Sequence, residues 1–192
     1  ITFEGNVPYL NIVDFNGYTV KVKGDIGYEG WINGTVEVTG KFKCEKIFEQ
    51  SSCGIAEGAK LIAGEVEVSS NGYYRNTLTV KGNIEVNGDM TIDENSDLIV
   101  TNPAYILVKG NFYGLGGSDG QPQGTLEVKG DVEYYGYFPT AELILSGDEP
   151  QNIHEISTGY VIPELKATNQ QITTDTGFWV DILLSDITFE GN

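Results

Sequence analysis

One short formula returns along the whole chain and limits its fold more than any other feature: apolar, polar, apolar, polar, Gly, Asp or Asn, apolar. "VKVKGDI" (Val20 to Ile26) states it most fully, and it comes back as "ITFEGNV", "VEVTGKF", "LTVKGNI", "ILVKGNF", "LEVKGDV" and, less completely, "LILSGDE". The glycines concerned are Gly5, Gly24, Gly40, Gly82, Gly110, Gly130, Gly147 and Gly191. A weaker copy, "LIAGEV", adds Gly64, and "LKATNQQI" carries Asn169 where glycine is expected. Alternation at period two sends Val20 and Val22 inward and Lys21 and Lys23 to water, and likewise Leu126 and Val128 against Glu127 and Lys129. Gly followed by Asp or Asn then turns a corner, because Gly accepts positive φ and Asx can bond its own backbone. "IEVNGDM" is a second full match ending at Gly88, six residues past Gly82, and reads as the next side of the same coil.

The marked positions are separated by 19, 16, 24, 18, 28, 20, 17, 22 and 22 residues. Steps of this size suit a solenoid, in which one coil cannot bury its apolar face until the next stacks on it. The expected fold is all-β: a single-stranded parallel β-helix or β-solenoid of about nine coils of roughly 20 residues, without terminal caps, rising on the order of 43 Å. Loop excursions are expected near residues 44–58 and 113–124. The competing fold is an antiparallel β-sandwich, whose strands also alternate with turn signals.

The hexapeptide ITFEGN stands at residues 1–6 and again at 187–192, a separation of 186 residues. It marks residues 1–192 as one solenoid unit, a period of a covalent tandem array or of an end-to-end assembly. Ile1, Phe3, Ile187 and Phe189 are then the assembly ends, and the chain's own partner is itself, head to tail along the axis.

Composition removes other classes. Twenty-eight acids against 11 Lys plus Arg leave a net charge of −17, which repels nucleic acid and anionic lipid. No apolar run reaches membrane-spanning length, so no membrane insertion is expected. With 25 Gly, 11 Tyr and one Met, long helices are not expected.

The run "LIVTNPAYILVKGNFY", a Gly-rich loop, "GTLEVKGDVEYYG", Phe138, "LILSGDEPQNI" and "IPELKATN" (Leu98 to Thr168 and its edge) resembles a repeat region of large surface-exposed proteins of Gram-positive bacteria. The likeness covers a little over a third of the chain and departs at the Pro-interrupted segment near Pro163. The resemblance implies a β-solenoid at the cell surface or outside the cell, with no established enzymatic role.

Chemistry is thinly equipped, and no catalytic residue is expected. The single Arg75 and single His154 give little to grip an acidic sugar, and His154 reads as an outward strand residue. Cys44 and Cys53, nine apart without a nearby histidine, form either a loop-closing disulfide or two thiols. Coil stacking would line Asp131, Asp148, Asp25 and Asn6 along one corner, a candidate calcium site or simply a hydrated edge. "DENSD" (Asp93 to Asp97) is a second such candidate. Tyr73, Tyr74, Tyr134, Tyr135 and Tyr137, with Trp31 and Trp179, offer either stacked packing or a carbohydrate-contacting surface of an adhesin for surface polysaccharide. Lys21, Lys23, Lys81, Lys109 and Lys129 are expected on one side away from most acids, which would draw fibres together laterally. Asn33-Gly34-Thr35 is a glycosylation sequon.

Overall fold

The computed structural model describes residues 1–12, 14–44, 53–70, 72, 75–116, 121–157, 159–168, 171–174 and 176–191, the last three as backbone. These residues contain strands and turns and no helix, and every strand pairing among them is parallel. The antiparallel sandwich is thereby excluded, and the chain is a β-solenoid.

Two sheets, each ten strands long, run the length of the stack. The first holds Thr2–Phe3, Thr19–Val22, Thr35–Val38, Lys60–Ala63, Asn83–Val86, Tyr105–Val108, Thr125–Val128, Glu142–Leu145, Val161–Ala167 and Trp179–Leu183. The second holds Val7–Leu10, Ile26–Tyr28, Lys41–Cys44, Glu65–Val68, Met90–Ile92, Phe112–Gly114, Val132–Tyr134, Gln151–Glu155, Gln171–Thr174 and Thr188–Gly191. A third sheet of four strands, Gly30–Ile32, Cys53–Ile55, Asn76–Val80 and Ser96–Val100, closes the middle coils.

The core consists of columns of like side chains, one per coil. Val20, Val36, Leu61, Ile84, Ile106, Leu126, Leu143, Leu165 and Leu183 stand in register, and the first eight are buried. Parallel in-register stacking of branched side chains needs no second domain, since each coil covers the one before it. At about 1.5–3 kcal/mol for each buried Val, Leu or Ile, these columns are the main source of stability.

Register also corrects the coil boundaries. In the first sheet the steps are 19, 16, 25, 23, 22, 20, 17, 22 and 18 residues. The corner between the two long sheets therefore falls at Gly88, not Gly82. Gly82 lies at a different corner, between the third-sheet strand Asn76–Val80 and the first-sheet strand Asn83–Val86. Both stretches obey the same formula because both bury alternate side chains before a bend, and the formula does not record which bend.

The terminal hexapeptides are likewise not equivalent. Thr2–Phe3 belongs to the first sheet and pairs with Lys21 and Val22. Thr188–Gly191 belongs to the second sheet, where Thr188 and Phe189 pair with Gln171 and Ile172. Gly191 is thus a strand residue and not a corner. The described strand residues of the two identical hexapeptides, Thr2–Phe3 and Thr188–Gly191, occupy different faces at opposite ends of the stack.

Candidate functional site

The corner residues explain the Gly-Asx formula better than turn conformation does. Gly24, Gly40, Gly110 and Gly130 have no positive φ, so conformational freedom is not what they supply. A Cβ at Gly24 would collide with Asn6 Oδ1, at Gly40 with Asp25 Oδ1, at Gly110 with Asp89 Oδ1 and at Gly130 with Asn111 Oδ1. Each oxygen instead accepts a hydrogen bond from the backbone of the next coil. Asp25 N donates to Asn6 Oδ1 at 2.9 Å, Lys41 N to Asp25 Oδ1 at 2.8 Å and Asn111 N to Asp89 Oδ1 at 2.7 Å. Asp131 N donates to Asn111 Oδ1 and Asn152 N to Asp131 Oδ1, both at 2.8 Å. The glycine is bare so that the Asx of the preceding coil can lie across it. At Gly147 buried Gln151 takes over, accepting from Gly147 N at 2.8 Å and donating to Val128 O and Gly130 O at 3.0 and 2.5 Å.

This ladder absorbs the candidate calcium corner. Asp131 is committed to Asn152 N, and Asp148 is exposed outside the ladder. Of the Asp93–Asp97 stretch, Asp97 is buried and ion-paired with Arg75 at 2.5 Å, and Asp93 bonds Glu94 N at 2.8 Å. Among the described residues no group of three or more His, Cys, Asp or Glu could hold a metal ion.

The outer faces are charge-interleaved, which corrects the expected segregation of lysines. Lys21 meets Glu37 at 2.6 Å, Lys23 meets Glu4 at 3.0 Å, and Glu85 accepts from both Lys60 (3.0 Å) and Lys109 (2.9 Å). Register explains the first of these pairs: one coil on from Lys21 stands Glu37. On the second sheet Lys41 pairs with Glu67 at 2.8 Å, and that hydrogen bond raises the lysine's pKa. Tyr105 donates to Glu127, and burial, reinforced by that carboxylate, raises the phenol's pKa.

The two cysteines are buried and not bridged to each other, so the disulfide does not form. They belong to different sheets. Cys44 ends a second-sheet strand in register with Tyr28 and Val68, and Cys53 lies in a third-sheet column with Leu78. Buried Asn76 joins the sheets here: its Nδ2 donates to Cys44 O at 2.5 Å and to Ser69 O at 3.2 Å, and Cys44 Sγ lies 3.7 Å from its Oδ1.

The aromatic residues divide. Tyr73 and Tyr74 lie outside the described residues. Tyr134 is a core residue, edge-on to Phe138 with ring centroids 5.4 Å apart, which removes it from any outer surface. Tyr135 and Tyr137 are exposed, and Tyr137 leans on Tyr160 at 5.1 Å. Trp31 carries Lys81 Nζ 5.2 Å above its ring. Phe138 was not singled out by the alternation, because it lies outside the strands; its neighbouring Gly136 and aromatic residues were the available signal.

The two ends of the stack are the remaining feature. Ile1 is 75% exposed, and Phe3 packs partly on the core. At the other end Trp179, Ile182, Leu183 and Leu184 are exposed, and Ile187 is partly buried. Phe189 is in the strand that pairs with Ile172. Leu183 stands in the same column as Leu165, yet Leu183 is 49% exposed while Leu165 is fully buried. No helix among the described residues is long and apolar enough to cross a membrane. Set against known protein families, curated proteins and solved structures, the chain matches none.

Proposed function

We propose that the chain is a structural segment of an extracellular filament or surface stalk, extended by stacking further β-solenoid coils on its ends. The observation that carries this is the uncovered last rung, where Leu183 continues a core column that is sealed everywhere below it. An apolar column left open attracts the next coil for the same reason that each internal coil attracts its neighbour. The rest of the surface supports a structural role, since several of its lysines are paired with glutamates across coils and its Asx corners are spent on holding coils together. Electron microscopy of material from the native source, beside a reducing denaturing gel, tests the reading. Fibres or elongated stalks are expected, whether they dissolve to a chain near 20.9 kDa or to a much larger one. Isolated particles that never stack would overturn it.

A second reading is an adhesin that holds polysaccharide on its aromatic side. A groove lined by Glu94, Asn95, Leu115, Glu133, Tyr135 and Ile156 supports it, with Tyr135 exposed for stacking on a sugar ring. A glycan array with no hits would remove this reading and leave the first intact.

A further inference from the structure

We propose that the groove beside Tyr135 takes a polysaccharide bearing free amino groups, with its sugar rings along Leu115, Tyr135 and Ile156 and its protonated amines on Glu94 and Glu133. The inference rests on the adhesin reading and names the ligand class of that groove. Register builds the surface. Gly114, Tyr134 and Glu155 stand one above another in the second sheet, and the residue after each continues the ladder. Leu115 N donates to Ile92 O at 2.9 Å, Tyr135 N to Gly114 O at 2.8 Å and Ile156 N to Tyr134 O at 2.9 Å. Leu115, Tyr135 and Ile156 therefore recur once per coil, about 4.8 Å apart. Alternation turns them away from the core side held by buried Tyr134 and Glu155, and Tyr135 and Ile156 are exposed. An apolar and aromatic column on the outside of the stack marks a contact surface.

Charge selects the occupant. Among the described residues no ion pair or side-chain hydrogen bond engages the Glu94 or Glu133 carboxylate, whereas Glu4, Glu37, Glu65, Glu67 and Glu85 each face a lysine. The groove's described lining includes no lysine or arginine, so a ligand that brings protonated amines satisfies both carboxylates through charge-assisted hydrogen bonds. The same two charges, on a chain of net charge −17, repel an acidic polysaccharide and a second copy of this face. A peptide is disfavoured on other grounds. Phe112–Gly114 and Val132–Tyr134 each have a sheet neighbour on both sides, so neither offers a backbone edge to an added strand. Recognition here is left to side chains, and a tyrosine ring beside aliphatic carbons suits the apolar face of a sugar.

Isothermal titration calorimetry on the full chain compares a chitosan oligosaccharide with the same oligosaccharide N-acetylated, which keeps the rings and removes the charge. The chitosan form is expected to bind at least about tenfold more tightly, since hydrogen bonds to charged groups outweigh neutral ones. In the double variant Glu94→Gln/Glu133→Gln that preference is expected to vanish, whereas Tyr135→Ala weakens both forms alike. Equal affinity of wild type for the two forms, or a preference that survives the double variant, overturns the amine assignment and leaves the adhesin reading standing. If polylysine loses affinity in these variants and chitosan does not, the groove takes a protein partner and the proposal fails. Failure to bind either form also overturns it, and the adhesin reading falls with it only when a glycan array shows no hit.

Discussion

The coils from Thr19 to Val100 have three strands, and among the described residues those from Tyr105 to Ala167 have two. The difference shows how this fold fills a cross-section. In the middle coils the third sheet supplies the columns Ile32, Ile55, Val80, Val100 and Cys53, Leu78, Leu98. In the coil that follows Val132–Tyr134, a large aromatic from outside the strands does the filling. Phe138, in no strand, packs edge-on to Tyr134 and 6.4 Å from Phe112. A strand contributing two medium side chains per coil and a non-strand stretch contributing one ring close the same gap.

The sharpest break of that comparison is Phe138→Ala. If one ring replaces a strand, its loss is expected to destabilise by about 3–5 kcal/mol, comparable to or above Leu78→Ala in the three-stranded region; chemical denaturation of both variants decides it. Next is the seam between second and third sheets, which the later coils lack. Asn76→Ala strips the partners of Cys44 O and Ser69 O and is expected to cost about 2–3 kcal/mol, measured the same way. The corner ladder is common to both regions, so Gly40→Ala and Gly130→Ala are expected to cost similar amounts, about 1–3 kcal/mol each by overpacking. Unequal costs would show that the ladder is not the shared element.

The smallest effect concerns the outer face. Hydrogen bonds from Lys109 and then Lys60 hold the Glu85 carboxyl below its ordinary value. A depressed carboxylate contributes stability fully above its unfolded pKa, about 4.3, and loses it as pH falls through the folded value. Glu85→Gln is therefore expected to lower stability by at most ~1 kcal/mol at neutral pH, with the gap from wild type closing below pH 4 in melting experiments.

The first and second sheets were legible because their strands alternate and their corners carry Gly-Asx, and the inward positions Val20, Val22, Leu126 and Val128 are buried. The third side was legible only where a strand such as Asn76–Val80 alternates; in the later coils a ring such as Phe138 fills space without a periodic signature. Gly82 and Gly88 show the limit of a local formula: both end a strand, and only pairing with neighbouring coils assigns the face. The same limit applies to ITFEGN, whose strand character was evident but whose sheet is set by what lies beside it. The Asx ladder was visible as spacing, although its physical basis, a side chain of one coil lying on a bare glycine of the next, emerges only in three dimensions. Cys44 and Cys53 misled because nearness in sequence suggested a bridge, whereas the two side chains belong to strands of different sheets.

The Asx corners have a mechanical consequence. Each coil is fastened only to the coil before and after it, so a load applied between the two ends of the molecule meets a series of weak links and not one strong joint. Under tension the outermost loop of thread comes off the spool first, releasing about 20 residues, on the order of 70 Å of extended chain, while the coils behind it stay wound. A single-molecule pulling trace is expected to show repeated small force drops of that spacing, and one all-or-none rupture would refute it. A solenoid fastened this way is expected to yield stepwise to a shear force.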